Sequence, residues 1–248
     1  MSGTPAPASP PHSRGRRTAR PSGDDRELAI LVTAEKLLRE RPLGEISIGD
    51  LAEGAGISRP TFYFYFRSKD AVLLTLLDKV VTEADAAAEA AFDPTDADPA
   101  RQWRHAIDAY FQTFRAHRAV TLAGAQLRAS NPEVQQLWAT VLRHWVQRTT
   151  EAIEFERERG TAPPGLPAAD LATALNLMNE RAMYATFAGE RPALPESDVV
   201  DVLLRIWLSS IYQSGAPLSR EAPPPNSPPN GVDPDSRGAP PPNSPPKH

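Results

Sequence analysis

The chain has 248 residues, with 27 basic and 31 acidic side chains and a formal net charge of −4. That length admits one or two domains with a substantial core, and the lack of cysteine excludes disulfide staples, thiolate metal sites and cysteine nucleophiles. No stretch approaches the ~18 uninterrupted apolar residues of a membrane span, and no apolar run of a signal peptide follows Arg14, Arg16, Arg17 and Arg20.

Charge is unevenly spread. Residues 1–82 hold 12 basic and 10 acidic side chains, whereas residues 83–248 hold 15 and 21. The N-terminal third is therefore the part suited to a polyanion, led by the basic arm at Arg14–Arg20. Proline marks both ends: of 27, five fall within residues 1–21 and twelve within 216–248. The C-terminal stretch repeats Ala-Pro-Pro-Pro-Asn-Ser-Pro-Pro and has almost no large apolar side chain. A disordered or polyproline II tail is expected over 215–248.

Between these ends every strong period is helical and no hairpin turn joins two apolar runs, which predicts an all-α fold. A first helix begins near Asp24, where Asp24 and Glu27 have capping-box spacing. Leu28, Leu31, Ala34 and Leu38 form its stripe, and Arg41-Pro42 ends it. Two short helices follow. A long helix starts after Ser68, with Leu73, Leu76, Leu77, Val80 and Ala84 on one face, and runs to Asp93-Pro94. Further helices are expected at 99–115, 117–128, 132–159, 167–188 and 196–213. Asn131-Pro132, the loop through Gly160, Pro163, Pro164, Gly165 and Pro167, and the trio Gly189, Pro192 and Pro195 separate them.

The two short helices carry the most specific pattern. Ser47 can cap the first, in which Ile48, Leu51, Ala52 and Ala55 share one face. Gly56 stands at the turn, Ile57 plugs the angle, Ser58 caps the second helix and Pro60 lies in its first turn. This is the layout of a helix-turn-helix. Phe62 and Phe66 share a face with Ile57, while Phe64 points away, flanked by Tyr63 and Tyr65. An exposed Tyr-Phe-Tyr run needs a surface to meet, and double-stranded DNA supplies one: hydroxyls bond phosphates, and a ring packs on a thymine methyl. Ser58, Arg59 and Phe64 are the expected base readers, with Ser47, Pro60, Thr61, Tyr63 and Tyr65 beside them. Lys69 and the N–H groups opening the long helix form an expected phosphate site. Arg16 and Arg17 are expected to reach phosphate or the minor groove. The competing reading is that all five aromatics are core.

The segment resembles the N-terminal domain of TetR-family transcriptional regulators. Leu51-Ala52, Ala55-Gly56-Ile57-Ser58, Thr61-Phe62-Tyr63, Phe66 and Ser68-Lys69 match that family's pattern. Phe62 departs from the usual Leu, and Tyr65 stands where many members carry His. Residues 16–31, 58–66 and 171–181 add a closer resemblance, to an actinobacterial subgroup that represses a flavin-dependent monooxygenase gene. The resemblance covers about residues 14–213. It implies a TetR-like fold with a flexible arm at 1–23, a helix-turn-helix domain at 24–68, and a ligand-binding and dimerisation domain at 69–214. It implies a repressor in the cytoplasm, on the nucleoid, with operator DNA as partner and no enzymatic activity or cofactor.

The later helices carry two aromatic stripes: Trp103, Ile107, Tyr110 and Phe114 on one, and Trp138, Leu142, Trp145 and Thr149 on another. Such stripes either pack solidly or line a cavity. Asn176 and Asn179 interrupt an otherwise apolar face, as the few fixed polar groups of an apolar pocket do. In the subgroup this region is similar to a long aromatic tunnel for an extended apolar effector. The matching positions are the eight stripe residues with Asn176, Asn179, Tyr184 and Trp207. Tyr110 and Tyr184 stand where Phe is found, and Ala87 and Ala90 replace larger aliphatics. The effector is expected to wedge the helices apart, shift residues 69–92 and respace two reading heads. Leu171, Leu175, Met178 and Ala182, with Val199, Leu203, Ile206 and Ile211, suggest a four-helix homodimer seam through the last two helices.

An enzyme in a helical bundle finds no support: the five histidines show no metal-ligand spacing, and no phosphate loop or nucleophile elbow occurs. An apolar-ligand carrier without DNA binding is the remaining alternative, and the intact 58–69 segment argues against it.

Overall fold

A computed structural model describes residues 22–91 and 98–212. The basic arm with Arg16 and Arg17, the Asp93-Pro94 helix stop and the proline-rich tail lie outside the described residues. Among those described, nine α-helices and one 3-10 turn occur and no strand. They are α1 (Gly23–Glu40), the turn Leu43–Glu45, α2 (Ile48–Gly54), α3 (Arg59–Tyr65), α4 (Lys69–Ala90), α5 (Pro99–Ala116), α6 (Arg118–Arg128), α7 (Pro132–Glu158), α8 (Ala168–Ala188) and α9 (Val199–Ile211). No described helix is long and apolar enough to cross a membrane.

Side-chain caps explain where most helices begin. Ser47, Ser58 and Ser68 accept from the third N–H of α2, α3 and α4, Asp98 from the second of α5, and Asn131 from the second and third of α7. Helix α1 starts one residue earlier than its sequence suggests. Its capping box is Ser22 with Asp25, not Asp24 with Glu27, so Asp24 lies inside the first turn. Its buried stripe is Ile30, Leu31, Ala34 and Leu38; the expected Leu28 is exposed. Gly56 turns the chain between α2 and α3 at φ 66°, a left-handed conformation that favours glycine.

Helices α1 to α3 form a small cluster, with α1 also seated on α4 and α6. Leu51 and Ala52 of α2 and Phe62 of α3 are buried in one core with Ile30 and Leu31 of α1. Helix α4 then runs from this cluster into a second layer, where α5, α6 and α7 pack on it and α8 and α9 pack on α7 and α5.

The expected dimer stripe is partly corrected. Leu171, Leu175, Val199, Leu203 and Ile211 are buried within the protomer, because α7 covers one face of α8 and α5 covers one face of α9. Of the expected residues Ile206 does stay exposed (39%), and Leu177 of α8, outside that stripe, is exposed as well (45%).

Candidate functional site

Two regions gather the expected residues. The first is α3. The Ser58 hydroxyl accepts from the Thr61 N–H at 3.2 Å and lies 2.8 Å from Thr61 Oγ1, which locks the first turn. Phe62 and Phe66 are buried with ring centroids 6.1 Å apart. On the opposite side Phe64 is 84% exposed and Tyr63 54% exposed, and Arg59 and Pro60 are exposed beside them. Tyr65 is half-buried, its ring edge-on to Phe64 at 5.3 Å. The five aromatics therefore divide as expected. Phe62 and Phe66 anchor the helix, Tyr63 and Phe64 face outward, and Tyr65 lies between, packed partly on the core. Ser47 is exposed at the start of α2 with its hydroxyl on the Asp50 N–H.

Lys69 is placed otherwise than expected. Its Nζ donates to the carbonyls of Leu43 (2.7 Å), Ile46 (3.0 Å) and Gly44 (3.2 Å). An ammonium has three N–H donors, so all are committed to closing the turn after α1, and none is left for a phosphate in this conformation. No local pattern reveals this, since the carbonyls lie more than twenty residues upstream.

Ties from this cluster to the rest of the molecule were not legible either. Arg67, just before α4, pairs with Glu133 in the first turn of α7. His117, between α5 and α6, sits with Nδ1 2.9 Å from Glu35 of α1 and Nε2 3.2 Å from Glu83 of α4.

The second region is a pair of cavities between α4 and the later helices. An outer chamber of about 510 Å³ opens to solvent, within the range of small-molecule sites. Trp103, Ile107 and Tyr110 line it from α5, Trp145 and Thr149 from α7, Asn176 and Asn179 from α8, and Trp207 from α9. An inner chamber of about 80 Å³ is lined by Phe114, Trp138 and Tyr184, among others. Tyr110, Trp145, Asn176 and Asn179 line both chambers and so form a waist between them. Eleven of the twelve expected positions thus come together. The exception is Leu142, which packs against the core but borders neither chamber. Helix α6 approaches α4 so closely at the inner chamber that a Cβ on Gly124 would stand 2.4 Å from Leu77 Cδ2.

The waist is held by hydrogen bonds. Asn179 Oδ1 accepts from Trp207 Nε1 at 2.9 Å, and Asn176 Nδ2 donates to Thr149 Oγ1 at 3.0 Å and to the Ala172 carbonyl. The residue that sequence reasoning missed is Asp85 of α4. Its Oδ1 accepts from both the Tyr110 hydroxyl (2.7 Å) and Trp145 Nε1 (2.8 Å). Burial and the Asp85 carboxylate together push the Tyr110 phenol well above its ordinary range, so it stays a donor. One carboxylate on α4 therefore fixes both aromatic rings of the waist. Among the described residues no cluster of His, Asp and Glu could hold a metal ion.

The helix-turn-helix layout agrees with the comparisons to known proteins. The model of bacterial regulatory proteins of the tetR family matches residues 30–76, and that of the C-terminal domain of the transcriptional regulator EthR matches residues 103–213. The chain is 60% identical to the HTH-type transcriptional regulator EthR of Mycobacterium tuberculosis over 200 residues, 80% of this chain and 93% of that protein. The chain belongs to the TetR family. A second relative, the HTH-type transcriptional regulator EthR of Mycolicibacterium smegmatis, is 52% identical over 199 residues, 80% of this chain and 92% of that protein. The fold is similar to that of a solved TetR-family regulator structure from Syntrophomonas wolfei, at TM-score 0.63 and 15% identity, over 76% of this chain and 95% of that one. This TetR-family chain is a helix-turn-helix transcriptional regulator similar to EthR, and not an enzyme.

Proposed function

We propose that the chain is a ligand-responsive repressor that binds operator DNA as a homodimer and leaves it when an extended apolar effector enters the cavity. The observation that carries the DNA half is the Phe64 ring, 84% exposed on a capped helix whose other face is sealed into the core. Helix α3 enters the major groove. Ser58, Arg59 and Phe64 read base edges there, while Ser47, Thr61, Tyr63 and Tyr65 meet the backbone and Pro60 shapes the first turn. Arg16 and Arg17 reach the neighbouring groove. Residues 24–68 act as the reading head and 69–214 as the effector and dimerisation domain. Two-fold pairing through α8 and α9, around Leu177 and Ile206, sets the two heads about one DNA turn apart, ~34 Å.

The effector half rests on the waist. A molecule that fills the outer chamber and reaches the inner one has to turn Tyr110 and Trp145 aside. Both hydrogen bonds to Asp85 then break. Asp85 lies on α4, whose other end begins at Lys69, tied to the turn after α1. A ligand that prefers the open waist thereby prefers one setting of α4, and the spacing of the heads follows. The likeness to EthR extends the proposal to the regulated gene, one encoding a flavin-dependent monooxygenase.

The test begins with duplexes selected by the full-length protein from a random pool. Specific, salt-sensitive retardation of a selected duplex over a scrambled one is expected. Equal, weak binding to both overturns the proposal.

A further inference from the structure

We propose that the effector is an amphiphile, an apolar chain ending in an anionic group with a carboxylate as its simplest form, and that Arg148 at the outer chamber receives that group. This rests on the reading of the cavity as an effector site and narrows the ligand's chemistry.

Helix α7 and its C-cap Arg159 present Arg148, Ala152, Phe155, Glu156 and Arg159 along one wall of the outer chamber. These steps of four, three, one and three keep them on one side of the helix. Three of the five are charged, and two of those three are already engaged. Arg159 lies 3.7 Å from Glu156 and 5.2 Å over the Phe155 ring. Glu156 also accepts from the Tyr212 hydroxyl at 3.4 Å, and that hydroxyl accepts from Trp103 Nε1 at 2.9 Å.

Arg148 differs. It is exposed, borders the chamber and has no hydrogen bond or ion pair with any described residue. Asp85 and Arg148 both act on the Tyr110 phenol, the carboxylate raising its pKa and the guanidinium lowering it. The two form no ion pair, and Asp85 Oδ1 already holds two donors. Arg148 is therefore a guanidinium with a free fork, beside a wall of Trp103, Ile107 and Trp207. A guanidinium pairs with a carboxylate through two parallel N–H···O bonds, a geometry that an ammonium or a hydroxyl does not match. An alcohol on the same chain leaves Arg148 in water as before. It binds through its chain alone, without penalty. Discrimination is thus a gain for the acid and not an exclusion of neutral ligands. Because the site is open to solvent, that gain is modest and falls with salt.

The experiment titrates the full-length protein with three probes of equal chain length: dodecanoate, dodecan-1-ol and dodecyltrimethylammonium. Binding is read by calorimetry, and its place by quenching of the tryptophans that line the outer chamber. Wild type is expected to bind the acid about fivefold more tightly than the alcohol at low ionic strength, and the ammonium least tightly. Arg148→Gln should bring acid and alcohol together without changing the alcohol's affinity, and Arg148→Lys should restore part of the gap. Equal binding of acid and alcohol to wild type overturns the assignment while leaving the cavity reading intact. Persistence of the acid preference in Arg148→Gln overturns it as well, because the head group then sits elsewhere. If none of the three probes binds, the cavity reading falls and the assignment falls with it.

Discussion

Removing the Tyr110 hydroxyl isolates the waist from every other part of the cavity. Tyr110→Phe deletes one oxygen and leaves the ring, so the stacking with Phe114 and the edge contact with Trp145, at 6.5 and 5.0 Å between centroids, are retained. What is lost is the 2.7 Å bond to Asp85 Oδ1. A hydrogen bond to a charged group contributes ~1.5–3 kcal/mol. Asp85 is only half-buried, and it keeps the Trp145 bond at 2.8 Å, so the lower end of that range applies. If a long effector must break this bond to pass the waist, the wild-type protein loses that energy on binding and the variant does not. The variant should therefore bind a chain long enough to span both chambers about tenfold more tightly, since ~1.4 kcal/mol corresponds to a factor of ten. A chain that fits the outer chamber alone should gain nothing. Tryptophan quenching with octanoate and hexadecanoate measures both. DNA anisotropy should show release by the long chain at correspondingly lower concentration. Unchanged or weaker binding of the long chain by Tyr110→Phe, or equal gains for both chains, would refute an opening waist.

Other consequences follow from the same structure. Arg59→Ala should weaken operator binding by ~1–3 kcal/mol and relax sequence preference, measured by anisotropy on a panel of single-base variants; unchanged affinity removes Arg59 from the readout. Phe62→Ala should cost ~3–5 kcal/mol of stability because its side chain is fully buried. Phe64→Ala should leave the denaturant midpoint nearly unchanged but lower DNA affinity, and a large stability loss there would mean the ring is core. The Asp50 carboxylate is held below its ordinary pKa of 3.8, chiefly by the Ser47 backbone N–H. A depressed folded pKa contributes stability that is present above the unfolded value and lost as pH falls through the folded one. The melting-temperature gap between wild type and Asp50→Asn should therefore narrow as pH drops below 3.8, and a constant gap would contradict that role for the cap.

The helices were legible because their ends are local. Ser47, Ser58 and Ser68, Asn131-Pro132 and Gly189 act within one turn of where they stand, and the observed boundaries fall within three residues of those expected from them. The division of Phe62 and Phe66 from Phe64 was legible for the same reason, since a helical period needs no knowledge of the partner. What stayed hidden depends on distant chain. Nothing near Asp85 marks it as the acceptor for Tyr110 and Trp145, which lie 25 and 60 residues away. Lys69 looks like a phosphate ligand until the carbonyls of 43, 44 and 46 are folded beneath it. Periodicity on α8 and α9 identified apolar faces correctly but could not say which helix covers them. Leu171, Leu175, Val199 and Leu203 are covered within the protomer, and Leu177 and Ile206 stay exposed.

The most direct measurement joins the two halves in one cuvette. Full-length protein is bound to a labelled duplex that it has selected, and hexadecanoate is added while DNA anisotropy and tryptophan quenching are recorded together. Loss of the DNA signal at the concentration that quenches the tryptophans is the expected result. Quenching with the DNA still fully bound would contradict a cavity coupled to the reading head.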